Sequence, residues 1–223
     1  MKKIASLSIC ILLSTSLYSQ VTYVLKAGVS WSSITFNEDV NEQFPGEFDY
    51  GYKPGFMIGV ALEIPVVPRF TIQPELLFLQ KGYKSSYADS EISSSYKTTL
   101  NYIEVPAMAR LNFGKFYMAA GPSIAFGVGG NYKGTNNYMG LTNEMEGKVK
   151  FGEQPDGYNG SKQYINAVDM GLQFGTGVSL KAIVVDLRFG LGLTDIFNEQ
   201  DVISNSRNRS IQLTVGLPMR SKK

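Results

Sequence analysis

The sequence predicts an all-β protein, an eight-stranded antiparallel up-and-down transmembrane β-barrel. Three observations predict it. Eight segments alternate between apolar and polar residues, and short and long connections alternate along the chain. Within the segments, the polar set of alternate residues, called the polar parity below, is rich in glycine. An alternation with period two indicates strands, because successive side chains of a strand point to opposite faces of the sheet. No long stretch of the mature chain follows the helical period.

The N-terminal segment has the layout of a secretory signal peptide. Lys2 and Lys3 precede the apolar stretch Ile4–Leu13, and small and polar residues follow it. The apolar stretch is shorter than the roughly 20 residues that a membrane-spanning helix needs. We therefore expect residues 1–19 to be removed on export and residues 20–223 to form the barrel domain.

The composition excludes several kinds of chemistry. The chain has no histidine and one cysteine, Cys10, which lies in the predicted signal peptide. A histidine base, a Cys/His metal cluster and disulfides are therefore excluded in the mature protein. Removal of Lys2 and Lys3 leaves equal numbers of basic and acidic residues, so the net charge gives no argument for nucleic-acid binding. We predict no enzyme activity, no catalytic residue, no metal and no cofactor.

Eight segments carry the alternation, and each is long enough for the roughly 9–11 residues that a tilted strand needs to cross a bilayer. In the seventh segment, apolar residues from Ile183 to Leu193 alternate strictly with a set that includes Asp186 and Arg188. The segments are residues 22–33, 52–64, 69–82, 100–113, 116–129, 166–180, 182–195 and 209–218.

The connections between these segments are alternately short and long. Pro65–Pro68, Gly114–Lys115 and Lys181 are tight links. The long polar loops are residues 34–51, 83–99, 130–165 and 196–208. Short turns at one end and long loops at the other are typical of bacterial outer-membrane barrels, whose short turns face the periplasm. We therefore expect the protein in the outer membrane, with the long loops outside the cell.

The two parities indicate which face meets lipid. The polar parity is crowded with small residues such as Gly59, Gly175 and Gly177, which suit the narrow interior of an eight-stranded barrel. Large apolar residues such as Phe56 and Phe174 would then face the lipid. The alternative is a soluble exported eight-stranded barrel that binds a small apolar ligand, with its apolar side chains pointing inward.

Aromatic residues cluster near both ends of the predicted strands, as in the two interfacial girdles of membrane barrels. Those expected near the long loops are Trp31, Tyr52, Tyr83, Tyr102, Tyr132, Tyr164 and Phe197. Those expected near the short turns are Phe70, Phe113 and Phe116.

Several strand motifs resemble those of a known family. They are Leu25–Ser30 in the first segment, Phe70–Phe78 with its Gln-Pro-Glu, Leu100–Pro106 with its Tyr-Ile-Glu-Val-Pro, and Ala120–Pro122. With the signal peptide, this set resembles the PorT-like outer-membrane β-barrel family over nearly all of residues 20–218. The resemblance implies an integral outer-membrane protein, and some relatives are linked to protein secretion.

Charged residues on the polar parity would point into the lumen. They are Lys26, Glu63, Glu75, Glu104, Arg110, Asp169, Asp186 and Arg188. Charges in a low-dielectric interior need partners, so a paired network that fills the lumen is the first interpretation. An ion or proton path is the second, although eight strands rarely leave a pore. A catalytic carboxylate pair is a third, but no spacing singles out a pair.

The long loops are the remaining place for function, because loops on a rigid scaffold carry binding. Aromatic residues of residues 130–165 are the candidates for a protein partner: Tyr132, Tyr138, Phe151, Tyr158 and Tyr164. The other expected partners are outer-membrane lipid and the barrel-insertion machinery. We predict a structural or interaction role, linked to protein secretion or to envelope function.

Overall fold

Ten β-strands make up almost all of the described chain. The computed structural model describes residues 21–35, 47–89, 92–153, 162–197 and 206–220, so the predicted signal peptide lies outside the described residues. The strands are β1 Thr22–Thr35, β2 Glu47–Val67, β3 Phe70–Ala88, β4 Ile92–Phe113, β5 Phe116–Tyr138, β6 Leu141–Phe151, β7 Lys162–Ile165, β8 Val168–Ser179, β9 Val184–Gly192 and β10 Arg207–Arg220. Within these ranges, no helix is long and apolar enough to cross a membrane.

Eight of the ten strands close into a ring. The order around it is β1-β2-β3-β4-β5-β8-β9-β10, with β10 paired back to β1, and every pairing is antiparallel. The closing pair extends from Thr22 opposite Arg220 to Thr35 opposite Arg207. The predicted eight-stranded up-and-down barrel is therefore confirmed.

Tight turns join the strands at one end of the barrel. Pro68 and Arg69 join β2 to β3, and Gly114 and Lys115 join β4 to β5. Gly114 has a φ of 67°, a left-handed conformation that glycine adopts without a Cβ penalty. We call this the short-turn end and the opposite one the long-hairpin end.

The side chains alternate between the outer surface and the lumen as the parity predicts. On β9, Leu187 is 50% exposed and Phe189 is 39% exposed, whereas the intervening Arg188 is 2% exposed. On β8, Phe174 is 46% exposed beside the buried Gln173. Apolar side chains therefore cover the outside of the ring, and the charged and polar side chains point inside, where a few apolar ones such as Met57 and Leu77 join them.

Much of two predicted long loops is strand. In residues 83–99, β3 continues to Ala88 and β4 begins at Ile92; in residues 130–165, β5 continues to Tyr138 and is followed by β6 and β7. The apolar–polar alternation does not predict these strands, because much of their length carries polar side chains on both faces. We call this region the extension sheet, made of residues 47–52, 83–88, 92–99, 130–138, 141–151 and 162–165.

The aromatic residues near the long-hairpin end divide between two environments. Trp31 and Tyr52 are exposed on the outer surface, as a girdle requires. Tyr83, Tyr102 and Phe197 are instead buried, so the expectation that they belong to the girdle is wrong. Tyr83 and Tyr102 occupy inward positions of their strands, where they pack with other apolar residues at the end of the lumen.

Phe174→Arg should destabilise the barrel by about 2–4 kcal/mol, because it places a charge on the lipid-facing surface near the middle of β8. Unfolding in lipid vesicles by urea, followed through the fluorescence of the single tryptophan, Trp31, measures the change. Leu141→Arg is the matched control, because Leu141 is 72% exposed at the tip of the β5–β6 hairpin. A larger effect from Leu141→Arg would contradict the assignment of the faces.

Candidate functional site: the charged lumen and the extension sheet

Four charged side chains meet at the centre of the lumen. Arg188 on β9 donates two hydrogen bonds to Glu75 on β3, of 2.7 Å and 2.9 Å. Lys26 on β1 lies 3.1 Å from Glu75 and 2.8 Å from Asp186 on β9. The two acids and two bases balance, and all four are almost fully buried. We call this set the central quartet.

Neutral side chains complete the hydrogen bonding of the two acids. Tyr117 donates its hydroxyl proton to Asp186, and Thr214 donates to the other oxygen of that carboxylate at 3.2 Å. Gln73 donates to Glu75 at 2.5 Å. Additional hydrogen bonds of this kind offset the cost of taking both charges of an ion pair out of water.

A second cluster lies nearer the long-hairpin end. Lys81 on β3 contacts Glu104 at 3.2 Å and Asp169 at 3.0 Å, and Asn208 donates to Asp169 at 2.8 Å. Glu104, Asp169 and Gln173 each keep one buried oxygen without a hydrogen-bond partner among the described residues. These residues line a small cavity of about 10 Å³, which is room for one water molecule.

The third cluster lies at the short-turn end. Arg110 on β4 forms a salt bridge with Glu63 on β2 and donates to Ser179 at 2.6 Å. Its guanidinium group lies 3.5 Å from the centre of the Tyr117 ring, a cation–π contact. All eight charged residues that the sequence assigned to the lumen thus lie in three clusters, and each contacts a charge of opposite sign.

Lys81 is a lumen charge that the sequence analysis missed. It shares the odd parity of Thr71, Gln73 and Glu75 on β3, so strict use of the alternation would have placed it inside. The choice of partners could not have been found in this way, because Arg188 and Glu75 lie on strands that are not neighbours in the ring.

Apolar side chains close the lumen at the long-hairpin end. Tyr102 packs edge-to-face on Phe151, with ring centres 5.3 Å apart. We call this cluster the aromatic plug; its buried members are Ile34, Tyr83, Leu100, Tyr102, Ala125, Val149, Ile165, Ile196 and Phe197. Burial raises the pKa of Tyr83. The pKa of Tyr50 is raised to about 12, mainly by burial and to a smaller extent by electrostatic interaction with Tyr83. Both phenols therefore stay neutral at physiological pH.

The five aromatic residues that the sequence proposed for partner binding have different surroundings. Tyr132 and Phe151 pack against the aromatic plug, and Tyr164 is half-buried on β7. Tyr138 is exposed at the end of β5, and Tyr158 lies outside the described residues. Among these aromatic side chains, Tyr138 is thus the one that the described structure presents to a partner.

No set of three or more potential metal ligands of the Asp, Glu, Cys and His type converges within the described ranges.

A family model described as the outer membrane protein β-barrel domain matches residues 14–198, which is most of the chain. The chain belongs to the outer membrane protein β-barrel domain family. This membership, together with the outward apolar surface, makes it an integral protein of the outer membrane that sits in the lipid bilayer.

Several solved outer-membrane proteins have a similar fold. Ail of Yersinia pestis is 9% identical, with a TM-score of 0.41, and the match covers 89% of this chain and 98% of Ail. Neisserial surface protein A is 10% identical, with a TM-score of 0.46, covering 87% and 96%. CarO of Acinetobacter baumannii is 12% identical, with a TM-score of 0.42, covering 85% and 96%. No curated protein matches the sequence.

Membership of the outer-membrane barrel family removes the soluble alternative. A soluble barrel for an apolar ligand needs an apolar interior, whereas Lys26, Glu75 and Arg188 occupy the centre of this one. The apolar side chains that would have lined its cavity are on the outside, where Phe56 is 50% exposed and Leu76 is 51% exposed.

Arg188→Met should destabilise the barrel by about 3–5 kcal/mol, because it leaves the buried central quartet with one uncompensated negative charge. The double variant Arg188→Met with Glu75→Gln should lose less, since both partners of the hydrogen-bonded pair are removed together. Urea unfolding in lipid vesicles measures both.

The control for this experiment is Glu146→Gln, which breaks a salt bridge of 2.8 Å to Lys133 on the exposed face of the extension sheet. It should change the unfolding midpoint little, because exposed ion pairs contribute little to stability. Equal midpoints for Arg188→Met and Glu146→Gln would show that water reaches the central quartet.

Proposed function

We propose that the protein is a PorT-like, non-enzymatic member of its family with an interaction role, linked to protein secretion or to envelope function. Its barrel is the membrane anchor, and its extension sheet is the element that meets a partner outside the cell. The single observation that carries the proposal is an exposed apolar tip held on a continuous sheet beyond the lipid-facing surface.

The filled and charge-paired lumen argues against transport and catalysis. Each described acid of the lumen contacts Lys26, Lys81, Arg110 or Arg188, so among these acids no two are without a basic partner to divide acid and base roles. The aromatic plug fills the long-hairpin end, and side chains fill the centre. An eight-stranded ring is only wide enough for such a filling.

The proposed orientation places the short turns in the periplasm and the extension sheet outside, as is usual for bacterial barrels. Both termini of the ring, in β1 and β10, then lie at the periplasmic end, where residues 22 and 220 are paired. The barrel-insertion machinery is the proposed partner during assembly, because β1 and β10 must find each other before the ring can enter lipid.

The tip of the β5–β6 hairpin is the proposed contact for a protein partner. Tyr138 is 51% exposed, Met139 66% and Leu141 72%. Met139 and Gly140 both have positive φ, of 49° and 83°, which is the geometry of a tight two-residue hairpin turn. Asn137 accepts a hydrogen bond from the Gly140 amide at 3.0 Å and fixes this turn. Exposed apolar groups held this rigidly are suited to a groove on another protein.

A photo-crosslinking amino acid at Leu141 should give one discrete adduct in living cells, identifiable by mass spectrometry. Serine at Tyr138 and Met139 should abolish the adduct without changing the heat-modifiable gel mobility of the folded barrel. The same crosslinker at Lys181, an exposed residue of the short-turn end, is the control. Identical adducts from both positions, or none from Leu141, would contradict the proposed contact.

The sealed lumen gives a second expected outcome. The purified barrel in a planar lipid bilayer should show no stepwise ion conductance, because three charge clusters and the aromatic plug lie along its axis. Stable, reproducible conductance steps from the wild-type protein would instead favour the ion path that the sequence analysis placed second.

A further inference from the structure

Three lysines form one row across the outer face of the extension sheet. Lys84 on β3 is directly opposite Lys97 on β4, and Lys97 is directly opposite Lys133 on β5. Side chains directly opposite in antiparallel strands lie about 5 Å apart, so like charges in these positions destabilise the sheet. All three are exposed, so solvent and membrane components can reach them. We call this set the lysine row.

Compensating negative charge reaches only the Lys133 end of the row. Lys133 is paired with Glu146 at 2.8 Å, and Glu144 lies exposed on the same face of β6. No carboxylate among the described residues forms a salt bridge with Lys84 or Lys97. Lys148, exposed on the same face of β6, adds a further positive charge.

The lysine row lies at the level of the aromatic girdle. Tyr52, exposed on the outer surface of β2, is paired with Tyr83, the residue that precedes Lys84. The guanidinium group of Arg209 lies 5.3 Å from the Tyr52 ring. Aromatic girdles mark the depth of the lipid headgroups. Lys84 therefore points outward beside the girdle, and Lys97 and Lys133 continue the row from it across two further strands, where a membrane lipid can reach them.

We propose that the lysine row binds the phosphate groups of a phosphorylated glycolipid in the outer leaflet. The proposal rests on the proposed orientation, which puts the extension sheet outside. A phosphate between neighbouring lysines would accept charge-assisted hydrogen bonds from both and remove their repulsion. Attraction between a lysine and an anionic headgroup strengthens lipid binding about fivefold for each lysine. Two lysines together therefore strengthen it about 30-fold.

Native mass spectrometry of the purified barrel in detergent micelles, titrated with bisphosphorylated lipid A, tests the proposal. The wild type should retain lipid A, and the double variant K84Q/K97Q should bind it about 30-fold more weakly. K115Q/K181Q is the matched control: it removes two exposed lysines at the short-turn end, so the net charge falls equally. This control should bind like the wild type, and heat-modifiable mobility confirms that both variants are folded.

Two further arms identify the source of the phosphate. Lipid A without its phosphates should bind as weakly to the wild type as intact lipid A binds to K84Q/K97Q. Inorganic phosphate at millimolar concentration should not displace lipid A. Equal weakening in both double variants, unchanged binding without the phosphates, or displacement by inorganic phosphate would each overturn the proposal. None of these outcomes bears on the Leu141 crosslink, so the two proposals fail separately.

Discussion

Hydrogen bonding of the backbone in lipid is the constraint on which this structure depends. Lipid offers no donors or acceptors, so each unpaired N–H or C=O group in it would cost several kcal/mol. The pairing of β1 with β10 removes the two edges that the sheet would otherwise have. Closing a ring with only eight strands makes the interior narrow, which explains why glycines face it. A Cβ at Gly177, for example, would overlap the ring of Tyr117.

A narrow lumen could have been filled with apolar residues, and buried ion pairs are not in general more stabilising than such a filling. The central quartet differs from an apolar filling in its geometry. Lys26 and Glu75 join β1 to β3, and Arg188 joins β9 to β3, so the contacts link strands that share no backbone hydrogen bonds. Each contact requires one register of each strand, because a slip by one residue would turn the charge toward lipid. The quartet therefore stabilises the native pairing against slipped alternatives.

The sequence was informative where one face of a strand meets lipid and the other does not. Alternation placed Asp186 and Arg188 inside and Leu187 outside, and the structure has them there. It failed in much of the extension sheet, where polar side chains such as Ser94 and Ser95 occupy both faces and follow no period. The partner choices in the lumen were also beyond it, because the residues that meet are far apart in sequence, as Glu75 and Arg188 are.

The length of the strands connects this architecture to the proposed role. β4 has 22 residues and β5 has 23, about twice what crossing the bilayer requires. The excess continues the same hydrogen-bonded ladder, so the position of Leu141 relative to the membrane is set by backbone pairing. A flexible loop of equal length would lose conformational entropy on meeting a partner, and a preformed hairpin avoids most of that cost. The same ladder holds Lys84, Lys97 and Lys133 side by side at the girdle, so the barrel presents its tip to a partner and its lysine row to lipid at fixed heights.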